Sequence, residues 1–538
     1  MKKIESLFIS ISLFAILIAT AVATWQFTGK STSDDVYHFP NTQYGAFLAA
    51  QHAIYANDFE NALSFTQDLQ DIDITVVNNT KILSQFLGGK MPQDVRLLKN
   101  EKSIPAKFIY EAWLVKNDNW KEMHNRHKND TSALIAPFRI WSAIANDWRT
   151  NTFKYIDKLP VNDSWREFVR GQIYAELGDI DKAAKHFDAV NPDFMNINDY
   201  LYIMSFYTHH NMSDRAEELK TKYTTRPAGM FLMNFDKIPD WSLFSGYKNA
   251  LAFSLLQNVS HTQILMYSDM AMLMLRFAEA IAPEMTKNTD AINYYLGQFF
   301  YTNTGNYQHY FEKIEPNSPF YPFVALRNTE KTGNFTELEQ SLRDFPLFVP
   351  SVNKLVGHYI KSGNKRAALR VVNRAINDKN INDAGRAFFA KTRAQIHYSF
   401  GDYDAAQSDI KLASDYLAVD AEIVSLQAKI WAAQNREIEN AYQYAMTLVA
   451  QDPSDIMAWD TLGTVVAVRE GAYAALEVLE RVGEISQSHS PLYLHLGDIY
   501  VSIGEYDKAR EAYMRAIDLS DDGLTVVPEI ERKIRKLK

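Results

Sequence analysis

The sequence predicts an all-α protein, an α-solenoid in which antiparallel helix pairs follow one another after an N-terminal hydrophobic helix. Three observations support this prediction. Residue types recur with a period of 34 in the C-terminal third, no block of polar–apolar alternation is long enough for a sheet, and residues 7–23 carry no charge. The length of 538 residues is ample for several domains or for one long array.

The 34-residue period is clearest in the last two units. One period separates the matched residues, namely Trp459 and Tyr493, Leu462 and Leu496, Gly463 and Gly497, and the alanines Ala441, Ala475 and Ala509. Apolar residues every three or four positions predict two antiparallel helices in each unit. Gly497 and Ala509 are small enough to let the two axes approach, and Gly504 suits a turn that needs a positive φ. Larger residues such as Tyr513 are expected to fill the space between units.

This grid resembles the tetratricopeptide repeat, a helix–turn–helix unit of 34 residues. The last unit fits best, through Tyr493, Leu496, Gly497, Tyr500, Gly504, Tyr506, Ala509, Tyr513 and Ala516. The resemblance is strong after residue 345 and weak between 195 and 345. It returns upstream in GQIYAELGDIDKAAKHF (residues 171–187) and YANDFENALSF (residues 55–65). The form of the N-terminus suggests an exported bacterial member of this family.

The chain is expected to divide into a few regions of different character. These are a signal peptide or signal anchor at 1–24, a polar tether at 25–43, degenerate repeats at 44–345, clear repeats at 346–520, and a basic capping helix at 521–538. In that last helix Val527, Ile530, Ile534 and Leu537 share one face, and the other face is basic. A polar outer cap is a general need of repeat arrays.

The N-terminus predicts export. Lys2 and Lys3 precede the uncharged residues 7–23, and Ala21 to Ala23 has the small-x-small form of a cleavage site. Two alternatives stay open: a cleaved signal peptide, or an uncleaved anchor that crosses the membrane through residues 5–24. The first gives a soluble periplasmic protein cleaved near Ala23. The second gives a single-pass protein of the bacterial inner membrane with its C-terminal bulk in the periplasm.

Composition excludes several classes of function. The net charge is −9, from 56 Lys and Arg against 65 Asp and Glu, so no nucleic-acid partner is expected. There is no cysteine, which excludes disulfides, cysteine-ligated metals and a cysteine nucleophile.

Motifs for catalysis are missing as well. Gly88-Gly89-Lys90 is followed by Met91 and lacks the rest of a phosphate loop. His124 and His127 share a predicted helix face, but no third ligand is near, so surface positions are expected rather than a metal site. Asp179 lies in an inter-helix turn, where it is expected to cap the next helix. We therefore expect no enzyme, no cofactor and no metal.

The resemblance implies a groove lined by the first helix of each unit, which holds protein partners. The positions expected to be exposed there are Asn353, Lys361, Lys391, Gln395, Tyr398, Asp460, Thr464 and Asp498. The function expected is an exported scaffold for protein–protein interaction, with cell-envelope assembly as a context that no residue specifies. The alternative is a superhelical cell-wall hydrolase or transglycosylase with a catalytic carboxylate between 195 and 345. A deep cleft of convergent carboxylates there would favour the enzyme, and an unbroken array of helix pairs would exclude it.

Overall fold

The computed structural model describes residues 43–537, apart from 68–73, 94, 262–268, 304–306, 418–419 and 486–487. Within these ranges every regular element is a helix, so the all-α prediction is confirmed for them. The predicted N-terminal hydrophobic helix lies outside the described residues. Across the described part of the chain, no helix combines the length and the apolar character that a membrane crossing requires. The chain divides into two compact units, residues 1–109 and 110–538.

In the first unit two short helices form a pair and a third packs against them. The elements are α1 (Gln43–Tyr55), α2 (Phe59–Thr66), α3 (Ile74–Leu87), a 3₁₀ turn (Val95–Asn100) and the start of α4 (Ile104–Lys116). Asn57 has a positive φ of 58° in the turn, and Asp58 caps α2 by accepting a hydrogen bond from the backbone N–H of Asn61. Phe59 and Ala62 are buried, as the repeat pattern of residues 55–65 predicts.

The second unit begins with helices of uneven length. They are α5 (Trp120–His127), α6 (Ala136–Ala145), α7 (Arg149–Ile156), α8 (Asp163–Glu176), α9 (Ile180–Asp188), α10 (Ile197–His209), α11 (Ser213–Thr224), α12 (Tyr247–His261), α13 (Asp269–Ile281), α14 (Pro283–Asn288), α15 (Ala291–Asn303), α16 (Gln308–Phe311), α17 (Tyr321–Thr332) and α18 (Thr336–Asp344). Helices α8 and α9 pack closely, with Gly171 against the ring of Phe187. Asp179 caps α9 by accepting from the backbone N–H of Lys182, as predicted.

The region between 195 and 345 is not an unbroken series of helix pairs. Residues 225–246, between α11 and α12, contain only the 3₁₀ turns Met230–Leu232 and Trp241–Leu243. Asp199 is buried in this region, yet it accepts from Gln257 Nε2 at 2.9 Å and contacts His261 Nε2 at 2.5 Å. Its carboxylate also accepts from the backbone N–H of Asn196 and so caps α10. These contacts give Asp199 a structural role.

The C-terminal pairs are more regular. They are α19 (Val349–Lys361) with α20 (Lys365–Ile376), α21 (Asp383–Ser399) with α22 (Tyr403–Leu417), α23 (Ala421–Ala433) with α24 (Ile438–Gln451), α25 (Ile456–Arg469) with α26 (Ala472–Ile485), and α27 (Ser490–Ser502) with α28 (Tyr506–Asp518). A 3₁₀ turn (Ser520–Asp522) and α29 (Val527–Lys536) follow. Each helix packs against the next one in the chain, so the pairs stack in sequence order.

Close helix crossings explain the small residues of the repeat. A Cβ atom on Gly497 would run into the ring of Tyr513, and one on Gly463 would run into the side chain of Leu479. In both pairs the glycine of the first helix thus makes room for a large residue of the second. Gly504 forms the turn with φ 84°, which confirms the positive φ predicted there.

Candidate functional site on the first helices

One continuous face is built by the first helices of the C-terminal pairs. Helices α19, α21, α23, α25 and α27 contact one another in that order, and the second helix of each pair also packs against the first helix of the next pair. We call their shared surface the first-helix face. It carries the positions that the sequence predicts to bind a partner, and it is therefore the candidate site.

The centre of this face is a buried carboxylate. Asp460 on α25 is 0% exposed, and its Oδ2 accepts from Lys429 Nζ of α23 at 2.6 Å. Its Oδ1 lies 2.6 Å from His495 Nδ1 of α27, and His489 Nε2 approaches Oδ2 at 3.8 Å. The Thr464 hydroxyl joins the cluster at 3.2 Å from His495 Nδ1. Three consecutive first helices are thus linked through one side chain.

The charges around Asp460 determine its protonation. Burial alone would raise the pKa of this carboxyl, because the charged form loses its hydration. The attraction of His495 and Lys429, together with the hydrogen bond to His495, outweighs burial and holds the pKa of Asp460 well below its usual range. The carboxylate therefore stays ionised near neutral pH.

Lys429 was missed by the sequence analysis, although the grid contains a signal for it. Residue 429 lies one period before Gly463 and two before Gly497, so a lysine stands where the next two units have glycine. The residue that faces this position in each later pair is large, Leu479 or Tyr513, whereas the matching residue of the earlier unit is Ala445. The long side chain of Lys429 is compatible with this unit because Ala445, which stands where the later units have Leu479 and Tyr513, is small.

Most of the predicted groove residues lie on the first-helix face, but few have free side chains. Asn353 is exposed, as expected. Lys391 is largely buried and pairs with Asp420 at 3.0 Å and with Glu422 at 2.6 Å. The expectation that Asp460 is exposed is wrong, because its carboxylate is enclosed by cationic side chains of the neighbouring units. Whether these positions bind a partner stays a prediction.

Three further predicted residues are partly buried. Tyr398 is half-buried, and burial followed by the nearby charge of Asp460 raises the pKa of its hydroxyl. Gln395 donates from Nε2 to Ser399 Oγ at 3.2 Å. Thr464 donates to the backbone carbonyl of Asp460 at 2.8 Å, which holds the hydroxyl close to α25.

The remaining two predicted residues contact the C-terminal segment, defined as residues 519–537. Lys361 on α19 lies 2.5 Å from Asp521 Oδ1. Asp498 on α27 accepts from Lys533 Nζ at 2.6 and 2.7 Å. The segment was expected to cap only the last pair, and Ile530 is indeed fully buried against that core. Its return to α19 was not predicted.

The histidine pair near the N-terminus differs from its predicted surface setting. His127 is buried, 2.6 Å from Asp130 Oδ2 and 3.2 Å from Glu111 Oε2. Burial lowers the pKa of His127, but these two carboxylates outweigh that effect and raise it. His124 lies apart, with its ring against Trp148. In the described ranges no group of three or more metal-ligating side chains is arranged to hold an ion.

A cavity of about 460 Å³ lies elsewhere in the second unit, lined by residues that include Trp120, Gly246 and Lys248. Glu176 at the end of α8 accepts from the backbone N–H of Gly246 at 2.7 Å. Burial raises the pKa of Glu176 to about 7, partly opposed by that hydrogen bond. Glu176 is not among the residues that line the cavity, so its raised pKa does not place a catalytic carboxyl there.

Comparison with known proteins bears on the last helix pair. Residues 490–522 match the family model described as tetratricopeptide repeat. No curated protein matches the sequence.

Several solved structures are similar to the chain. A tetratricopeptide repeat protein from Parabacteroides merdae is 14% identical, covers 54% of this chain and 98% of its own, and has a TM-score of 0.30. The APC/C hetero-tetramer Cut9–Hcn1 is 13% identical, over 90% of this chain and 96% of that one, with a TM-score of 0.33. Yeast Tom70 is 14% identical, over 92% and 96%, with a TM-score of 0.27. By sequence, residues 490–522 of this chain match a tetratricopeptide repeat, and they contain the helix pair α27–α28.

Proposed function

We propose that the protein is a non-catalytic scaffold that binds a protein partner on the first-helix face. The observation that carries this proposal is that the face already holds a peptide segment. The chain's own residues 519–537 lie against it through a backbone contact and two ion pairs. A surface that accepts one peptide segment in this way has the charges and the close backbone approach needed to accept another.

The rigidity of the face supports the same function. Asp460 links α23, α25 and α27, and Ser425 Oγ on α23 lies 2.7 Å from Thr461 Oγ1 on α25 with both side chains buried. Helices fixed relative to one another lose little further freedom when a ligand binds, which favours affinity.

A site-specific cross-linking experiment tests this proposal. A photo-reactive residue replaces exposed Asn353 on α19 of the full-length tagged chain, and a matched chain carries it at exposed Arg370 on the second helix α20. We expect one defined protein to be recovered by mass spectrometry from position 353 and not from position 370. Equal recovery at the two positions, or none at position 353, would contradict binding on the first-helix face.

The cellular location belongs to the same proposal. We infer from residues 1–24 that the protein is exported, either anchored in the bacterial inner membrane or released into the periplasm after cleavage near Ala23. An envelope-assembly role would suit that location. Protease digestion of spheroplasts should degrade the bulk of the chain, and N-terminal sequencing of the mature protein distinguishes Met1 from Thr24. Protection of the chain in intact spheroplasts would refute export.

A further inference from the structure

The C-terminal segment joins the last helix pair to the first of the C-terminal pairs. Gly523, with a positive φ of 71°, lies against Gly357 in the middle of α19, and a Cβ on Gly357 would come within 3.2 Å of the Gly523 Cα. The ion pair between Lys361 and Asp521 fixes the same place, between residues 160 positions apart. The hydroxyl of Ser399, at the end of α21, lies 3.5 Å from the carbonyl oxygen of Leu524. The segment therefore crosses the first-helix face.

A second set of contacts holds the segment to α27. Asp522 accepts from the backbone N–H of Ser490 at 2.9 Å and from its hydroxyl at 2.8 Å, at the start of α27. Lys533 pairs with Asp498, which lies in α27 as Ser490 does. Thr525, Val526 and Ile530 are buried between these anchors.

Each charged part of the segment meets a group of opposite polarity on the first-helix face. The face offers a cation at Lys361 and backbone N–H at Ser490, and these meet the acidic pair Asp521–Asp522. It offers the anion Asp498, which meets the basic helix α29. The two ion pairs are accessible to water, since the side chain of Asp521 is 90% exposed and those of Lys361 and Lys533 are 41% and 30% exposed, whereas Asp522 contacts the buried Ser490. Exposed ion pairs of this kind contribute little free energy and exchange readily.

We propose that residues 520–536 are an internal ligand of the first-helix face, and that the protein partner binds there through a segment of the same chemistry. That chemistry is an acidic turn that contains glycine, followed by an amphipathic helix with a basic face. The partner takes the place of the chain's own segment. This inference rests on the proposed scaffold function and adds what the partner presents and what it displaces.

Competition follows from the tether. A segment joined to its site acts at an effective concentration of about millimolar, so a free competitor binds the intact chain more weakly than it binds a chain whose segment is released. The apparent affinity scales with the fraction of molecules whose face is open.

The experiment uses a fluorescent peptide of residues 519–538 and the full-length chain. Anisotropy measures its binding to the wild type, to the double variant Asp521→Ala/Lys533→Ala, and to the matched control Arg532→Ala/Arg535→Ala, whose substituted side chains are exposed and outside both anchors. We expect the peptide to bind the double variant several-fold more tightly than the wild type or the control, in line with the loss of two exposed ion pairs. Equal binding to all of them would overturn the proposal.

A charge exchange keeps the test valid if the double variant is poorly folded. On the chain with Lys361→Asp, a peptide that carries Asp521→Lys should bind several-fold more tightly than the wild-type peptide, because only the substituted peptide carries the charge opposite to that of the substituted face. Failure of that exchange in a chain with wild-type circular dichroism overturns the assignment. A stable dimer of the double variant, detected by light scattering, would mean that a second copy of the chain is the occupant and would overturn it too. Partner recovery from position 353 with no peptide binding would leave the scaffold function standing and remove only this inference.

Discussion

Replacement of Asp460 by alanine is the most direct test of how the first helices are held together. Asp460 is fully buried, and the side chain of its partner Lys429 is only 9% exposed. Without the carboxylate, the charge of Lys429 is left in a buried site with no anion to balance it, and His495 loses a hydrogen-bond partner. Removal of one partner from a buried ion pair costs about 3–5 kcal/mol, because the remaining charge is uncompensated.

That loss is large enough to be measured as a melting shift. Asp460 belongs to the unit of residues 110–538, and with an unfolding entropy of about 2.1 cal/mol/K per residue a unit of that size shifts by about 1 °C per kcal/mol, so the midpoint should fall by about 3–6 °C. Calorimetry of the full-length chain measures the shift. The matched control is Glu439→Gln. It removes an exposed carboxylate on α24 that pairs with Arg469 of α25, the helix that carries Asp460, and the midpoint of this variant should stay that of the wild type. A midpoint for Asp460→Ala as high as that of the control would refute the buried-cluster reasoning.

The pH dependence of the stability gives a second test of the role of Asp460. The folded pKa of Asp460 lies below its unfolded value of about 3.9, so its contribution is present above that pH and is lost as the pH falls through the folded pKa. Asp460→Asn should therefore be less stable than the wild type at neutral pH, and the gap should narrow in acid. The paired replacement Lys429→Met/Asp460→Leu should recover most of the loss, because apolar packing can replace a buried ion pair.

Other substitutions test separate features. Gly497→Ala should be less stable than Gly483→Ala by about 1–3 kcal/mol in urea unfolding, because the new methyl meets the Tyr513 ring at 497 but makes an ordinary 3.5 Å contact with Leu496 at 483. Equal stabilities would mean that the close crossing is not tight. Gly504→Ala, at φ 84°, should cost about 1 kcal/mol, and an unchanged urea midpoint would exclude strain there. Glu176→Gln should abolish the fall in stability, about 3 kcal/mol or less, that the wild type undergoes as the pH rises from about 4.5 to about 7, where the carboxyl is ionised in the unfolded chain but not yet in the folded one. Parallel pH–stability curves for the two chains would contradict the raised pKa of Glu176.

The sequence was sufficient for features set by residues close together in the chain. Gly497, Tyr513 and Gly504 belong to one helix pair, and their spacing alone predicts the close crossing and the turn that the structure has. The caps at Asp58 and Asp179 are local in the same way. Helix pairs that follow one another need only such short-range information, which is why the fold of the C-terminal third was predictable.

The state of the candidate site was not predictable, because it depends on side chains from different units. Asp460 is buried by Lys429, 31 residues before it, and by His495, 35 residues after it. A position that faces the groove in one unit is covered by long side chains from its neighbours, and a period in the sequence does not show their reach. The contact of Gly523 with Gly357 is longer in range still, and no local pattern around either glycine marks it.

The return of the C-terminal segment to α19 changes how this part of the chain can come apart. Stacked repeats that touch only their neighbours can open from a free end, one unit after another. Here residues 519–537 are fixed to the first of the C-terminal pairs, so the stack from α19 to α28 is held at both of its ends by one segment. That segment is also synthesised after every one of the first helices. During translation the first-helix face is therefore complete before its own occupant exists, and a partner present at that moment meets it uncovered.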